Sequence, residues 1–183
     1  EKLSDLDANI FINNDYINTN MVESLFFNDQ LFSENIKDVV ISYGDIIFND
    51  LNFKKLISSK DNISLMVDSN WYNLWKHRMS DPLLDAESLR LDNNNYITEL
   101  GQKITNISQA EGQYTGLIFI KKKQLLFLRS CYFDLKKKQN IKKMYMTDFF
   151  QILIKMGIKI KACLVKNGWL EFESDKQLED YKQ

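Results

Sequence analysis

The chain has 183 residues, enough for one core that buries roughly 70% of the surface its unfolded form would expose, and a formal charge of -1, which gives no electrostatic reason to bind a nucleic-acid duplex. Hydrophobic residues at 44% and aromatics at 13% describe a packed globule rather than a disordered segment. No apolar run approaches the roughly 20 residues of a membrane helix, residues 1–10 lack signal-peptide order, and Cys131 and Cys163 stand at no metal-ligand spacing, so a cytoplasmic protein with two buried free thiols is expected.

In chain order, β-branched content and short apolar runs predict strands over NIFIN (9–13), DVVISYG (38–44), NISLMVD (62–68), AESLRL (86–91), YITELG (96–101), GQYTGLIFI (112–120), KIKACLVK (159–166) and GWLEFES (168–174). Helices are predicted between them. The first, NMVESLFFNDQLF (20–32), carries Met21, Leu25 and Phe32 on one stripe with Thr19 or Asn20 as its cap. NFKKLISS (52–59), residues 121–138, TDFFQILIKMG (147–157) and DKQLEDYK (175–182) follow, with Thr147 capping the fourth and Gly157 stopping it. Early strands are continuous apolar runs separated by helices, and the middle strands follow each other closely like hairpins. The pattern predicts a single α/β domain over 1–183 with a mixed, mainly parallel sheet flanked by helices. The lysine tracts after Ile120 and Leu135 read as solvated helix faces.

The stretch DVVISYGDIIF ends an apolar run in Gly44 and Asp45. In open α/β sheets ligands bind outside the carboxyl ends of parallel strands, which is where Asp45 falls. A glycine before it lets a ligand's phosphates approach the backbone, and the aspartate offers magnesium one oxygen while phosphates and waters fill the other positions. The competing reading is an ordinary strand-to-helix turn.

Five segments in order, INNDYINTNMVESL, VVISYGDIIF, LMVDSNWYNLWKHR with DAESL, EGQYTGLIFI, and TDFFQILIKMGIKIKACLVKNGWLEFES, resemble the sugar-phosphate type of nucleotidyltransferase over nearly the whole chain. Within it they are most similar to the cytidylyltransferases acting on phosphonates and phosphocholine, including domains found beside phosphoenolpyruvate mutase in phosphonate biosynthesis. The resemblance implies a Rossmann-like nucleotidyltransferase fold, CTP and magnesium as partner and cofactor, and a small phosphonate or phosphate-ester acceptor. It makes Asp45 the first magnesium-binding aspartate and catalytic residue. The second carboxylate comes from the late Trp-x-Glu-x-Asp pattern, where Glu173 stands in place of the family's aspartate; Glu171 lies on the same strand face, so either could serve. The nucleotide's base and ribose are expected at Tyr16, Asn20 and Ser24, and its phosphates at Gly44.

On the acceptor side, helical spacing of WYNLWKHR would put Trp71, Trp75 and Arg78 on one side, aromatic rings suiting a cationic head group and the guanidinium suiting phosphonate oxygens. A tryptophan pair at that spacing is equally a core feature. Glu111, Gln113 and Tyr114 of EGQYTG and the strand-end carboxylate Asp68 complete the expected acceptor residues. The family opens with a strand and a glycine-rich loop that wraps the triphosphate, whereas this sequence has six glycines and no Gly-x-Gly. The expectation is a fragment of a longer chain, or a relative lacking its first strand and loop, stabilised by a homo-oligomer or by that missing segment. Two other readings stand beside it, a non-catalytic binding or assembly module that keeps the fold and a sugar-1-phosphate nucleotidyltransferase.

Overall fold

A computed structural model describes residues 8–27, 32 and 37–172. Eight strands are present: β1 (Val39–Ser42), β2 (Ile46–Phe48), β3 (Ile63–Asp68), β4 (Glu87–Leu91), β5 (Ile97–Lys103), β6 (Gln113–Ile120), β7 (Lys161–Val165) and β8 (Trp169–Glu171). The α-helices are α1 (Met21–Phe26), α2 (Asp50–Ile57), α3 (Trp71–Arg78), α4 (Lys122–Lys138) and α5 (Met146–Lys155). The central sheet has the order β1-β6-β3-β7; β6 runs antiparallel to both β1 and β3, and β3 runs parallel to β7. Strands β1, β3 and β7 therefore point one way and β6 the other, the expected mixed α/β sheet. Two further ribbons, β2–β8 and β4–β5, stand beside it.

Strand β3 is buried along its whole length and its alternation feeds two layers. Ile63, Leu65 and Val67 pack with Ile118, Ile120 and the helix residues Leu125, Leu128, Phe149, Phe150 and Leu153. Met66 faces the other way, with Leu117, Phe119, Leu56 of α2 and Trp169. Helices α4 and α5 thus cover one face of the sheet, and α2 with the β2–β8 ribbon covers the other. Cys131 and Cys163 are free and buried, and burial raises both thiol pKa values.

Several local expectations need correction. NIFIN forms no strand: Ile10 and Ile12 are about 70% and 69% exposed, and Asn13 turns the chain by accepting the Asp15 N–H at 3.0 Å. Its β-branched run finds no partner strand among the described residues. Helix α1 is six residues long, and its buried face is Val22 and Phe26; Met21 and Leu25 line a cavity instead. Thr147 does not cap α5, because Tyr145 is the N-cap and its N–H is accepted by Asp148 at 3.3 Å. Gly157 ends α5 as expected, with φ of 84°, and the Ile158 N–H reaches back to the Leu153 carbonyl at 3.0 Å. DVVISYGDIIF is two strands, β1 and β2, broken at Tyr43–Asp45 because β2 leaves the main sheet to pair with β8. The predicted helix DKQLEDYK lies outside the described residues. Among those residues no helix is long and apolar enough to cross a membrane.

Candidate active site

The carboxyl ends of β1, β3 and β7 lie at one end of the sheet, and the chain elements leaving them build the site. Tyr43 follows β1; its N–H donates to the Gly116 carbonyl at 3.0 Å and its side chain packs against that glycine. Gly116 has φ of 83°, and a Cβ there would come within 2.8 Å of the tyrosine ring, so both the backbone conformation and the close approach require glycine. Gly44 and Asp45 are exposed and turn the chain into β2, with open space around Gly44 where a side chain would otherwise stand. In the β2–β8 ribbon Ile46 faces Glu171, and the Phe172 N–H donates to the Asp45 carbonyl at 2.9 Å. Asp45 and Glu171 therefore leave adjacent strands at the same end. Burial pushes the Tyr43 phenol well above its ordinary range, and the charges of Glu87, Asp45 and Glu171 add to the rise.

Two cavities meet at Tyr43. One, about 480 Å³, is lined by Tyr16, Thr19, Asn20, Ser24, Ser42 and Tyr43 with apolar neighbours that include Met21. It brings together three of the residues expected to hold the nucleotide. Asn20 caps α1 by accepting the Met21 N–H at 2.8 Å, and Ser24 receives the Asn13 amide at 3.1 Å. The loop before α1 is tied down by the Asp15–Lys142 ion pair at 3.1 Å; the hydrogen bond from Asn18, then the lysine, hold the Asp15 carboxyl below its ordinary range.

The second cavity, about 200 Å³, shares Met21 and Tyr43 with the first and is walled by Trp75, Glu87, Gln113, Tyr114, Thr147 and Glu171, among others. Gln113 and Tyr114, two of the residues proposed from the sequence for the acceptor, both line it, although both ends of the Gln113 amide are bonded to the Glu87 backbone, at 2.6 and 3.4 Å. Tyr114 is half-buried with its hydroxyl inside and its ring edge-on to Tyr43, 5.7 Å between centroids, and burial raises its phenol pKa strongly.

Other expected residues lie elsewhere. Trp71 and Trp75 do share one side of α3, 5.3 Å apart, but Trp71 belongs to the core and donates to the Ala110 carbonyl at 3.2 Å. Asp68 is fully buried: Oδ1 accepts the N–H groups of Asn70 and Asn167 at 2.8 and 3.2 Å, and Oδ2 accepts the Trp169 indole N–H at 2.9 Å. Glu111 is exposed, lines neither cavity, and accepts the Leu91 N–H at 3.4 Å. Arg78 closes α3 and its side chain lies outside the described part of the structure, as does Glu173. The reading of the sequence missed Tyr43, Glu87 and Thr147 as cavity residues. For Tyr43 and Thr147 the signal was the clustering of polar types in SYGD and MTD, beside positions that were read as motif or cap; Glu87 had no local signal.

A larger groove of about 680 Å³ lies between the β2–β8 ribbon and α3, lined by Ile47, Asn49, Asn73, Leu74, Asn167 and Trp169 with their neighbours. No titratable side chain lines it, so it offers no group for acid–base or metal chemistry.

Among the described residues no group of three or more His, Cys, Asp or Glu side chains could hold a metal ion. Two carboxylates suffice for magnesium, which takes one or two from a protein and fills its shell with phosphate oxygens and water. Asp45 and Glu171, hard oxygen donors at the open end of the sheet, fit an ion that arrives with a triphosphate.

Solved structures of low sequence identity share this fold. The inositol-1-phosphate CTP transferase of T. maritima superposes with a TM-score of 0.65 at 20% identity, over 93% of this chain and 62% of that one. The CTP:phosphocholine cytidylyltransferase of Streptococcus pneumoniae gives 0.62 at 11% identity, over 93% and 67%. They define the class as a nucleotidyltransferase fold. In sequence, the chain is 35% identical over 177 residues to the CTP:phosphoglutamine cytidylyltransferase of Campylobacter jejuni subsp. jejuni serotype O:2, covering 92% of this chain and 70% of that protein. The chain belongs to the cytidylyltransferases of the sugar-phosphate nucleotidyltransferase type. No protein-family model matches it.

Proposed function

We propose that this chain is the catalytic core of an enzyme that transfers the cytidylyl group of CTP to a small phosphorylated acceptor, with release of pyrophosphate. The observation that carries this reading is the pair of cavities meeting at Tyr43, the residue that precedes the Gly44–Asp45 turn in the chain. One is large enough for a base and ribose and the other fits the head group of an acceptor. An acceptor phosphate oxygen, already anionic at neutral pH, attacks the α-phosphorus in line; the new P–O bond forms as the bond to pyrophosphate breaks, and pyrophosphate leaves with the electron pair. No protein nucleophile or general base is required, so the residues act by positioning. Asp45 and Glu171 are the carboxylates that would hold magnesium, which when bound offsets charge on the phosphates. Among acceptors, phosphoglutamine takes first place from the curated relative, ahead of the phosphonates and phosphocholine suggested by sequence resemblance.

The test is pyrophosphate release by the full-length protein with CTP, UTP or dTTP, each offered with phosphoglutamine, phosphocholine or 2-aminoethylphosphonate, with and without magnesium. Release is expected from CTP with magnesium, and release from no pairing overturns the reading. Asp45→Asn is expected to lower kcat by about a hundredfold or more. Because Asp45 is exposed, that substitution should change stability by no more than about 0.5 kcal/mol.

A further inference from the structure

One side chain borders both the 200 Å³ cavity and the 680 Å³ groove: among the described residues, Trp169 is common to the two linings and no other residue is. The elements that meet beside it send consecutive residues into different spaces. On β8, Leu170 lines the groove and Glu171 the cavity; on α3, Leu74 lines the groove and Trp75 the cavity. The Trp169 ring thus stands between the small space beside Tyr43 and the larger one between the β2–β8 ribbon and α3.

The ring is fixed where it stands. It is 4% exposed and belongs to the core layer with Met66, Leu117 and Phe119. Its N–H donates to Asp68 Oδ2 at 2.9 Å, and that carboxylate is fully buried. A hydrogen bond to an ionised acceptor is about twice as strong as a neutral one, and turning the ring aside would leave Oδ2 buried without its donor. The two N–H groups on Asp68 Oδ1 belong to Asn70 and Asn167, which both line the groove. One carboxylate therefore holds the dividing ring and the groove's rim in register.

We infer that Trp169 sets the upper size of the acceptor, by closing the cavity that takes its head group against the groove on the far side of the ring. The assignment rests on the proposed cytidylyl transfer and adds the residue that decides which acceptors fit. Such a residue works by exclusion: it contributes little to the affinity of a small acceptor and rejects a longer one. The groove is lined by asparagine amides and apolar side chains with no titratable group. What it would take once the ring is removed is therefore an uncharged chain attached to the head group.

Calorimetric titration of the full-length protein tests this without requiring turnover. The probes are phosphoglutamine, phosphocholine and 2-aminoethylphosphonate, each as the parent compound and with a propyl or hexyl group on its amino nitrogen, which keeps its charge. For the parent that binds most tightly, the unaltered protein is expected to bind the N-hexyl derivative about a hundredfold or more weaker. Trp169→Leu should bring that derivative within about tenfold of the parent, and Trp169→Phe should do the same for the N-propyl derivative alone. Adding Asn73→Trp, which fills the groove from α3, to Trp169→Leu should restore the exclusion, a reversal that a merely loosened cavity would not give. The CTP KM should stay unchanged throughout. If Trp169→Leu fails to fold, Trp169→Phe and the N-propyl derivative decide alone. Equal binding of parent and N-hexyl compounds by the unaltered protein, continued exclusion by the Trp169 variants, or no effect of Asn73→Trp overturns the assignment. Size-dependent binding in the expected pattern without pyrophosphate release supports the role of Trp169 and overturns the transfer reading. Pyrophosphate release from parent and N-hexyl acceptors at equal KM by the unaltered protein does the reverse, and binding of no parent compound overturns both.

Discussion

Glu87 opposes folding in the empty protein. Its folded pKa is raised because burial, then Asp148 and Asp85, disfavour the charged form. A raised carboxyl pKa means that the folded state binds its proton more tightly than the unfolded chain, so its contribution to stability is greatest in acid. That contribution is lost as pH rises from the ordinary glutamate value of 4.5 through the folded value. Glu87→Gln should therefore stabilise the unliganded protein at pH 7, and the gain should shrink toward zero below about pH 4.5. Urea melts of both proteins at pH 7 and pH 4 check it; equal midpoints at pH 7 would show that Glu87 bears no electrostatic cost. This residue was not legible in the sequence as a site. Nothing local in DAESL distinguishes a surface strand end from a carboxylate that long-range packing brings beneath Tyr43 and Thr147. Asp45, by contrast, stood out as a candidate because an apolar run followed by Gly-Asp is a local pattern.

Two aspartates end neighbouring stretches of chain at the same end of the sheet, and their elements use them differently. Asp45 faces solvent at the β1–β2 turn. Asp68 ends β3 and binds three donors, one from the start of α3 and two from the β7–β8 turn and β8 itself, so it ties down the ribbon that carries Glu171. Asp68→Ala leaves buried N–H groups without an acceptor and should cost about 3 kcal/mol or more. Denaturant unfolding followed by tryptophan fluorescence measures that loss directly, since Trp169 is one of the donors. A cost under about 1 kcal/mol would mean that water replaces the carboxylate and that Asp68 is free for a ligand. Sequence pattern found most of the elements: the apolar runs of β1, β3, β6 and β7 and the stop of α5 at Gly157 are where periodicity put them. It missed β2, three residues long, because a short strand that changes partner has no period of its own. It put a strand at NIFIN because β-branched content registers propensity and cannot register the absence of a neighbour.

At the scale of the molecule, β3 and β6 hold both layers together. Along β6, Leu117 and Phe119 face the layer with Leu56 and Trp169, while Ile118 and Ile120 face the layer with Phe149 and Phe150. The class of fold was legible because such double-faced strands read as unbroken apolar runs. The reversed direction of β6 was not, since periodicity carries no information on strand polarity. The shared strands predict one unfolding unit. Trp169 lies in the second layer and Trp71 and Trp75 in a satellite cluster with Ala86, Ile104 and Ala110, so fluorescence reports regions outside the core of the first layer. Ile118→Ala removes apolar contact from the opposite layer, where the side chain is fully buried, and should cost about 2–5 kcal/mol. If β3 and β6 couple the layers, the fluorescence midpoint in urea falls by the same amount as the far-ultraviolet circular dichroism midpoint, and the two transitions coincide. Separation of the two curves, with fluorescence unmoved by Ile118→Ala, would show that the layers unfold independently. The site would then be split between units, because its smaller cavity is lined by Trp169 and Glu171 of the ribbon side and by Tyr145 and Thr147 at the start of α5.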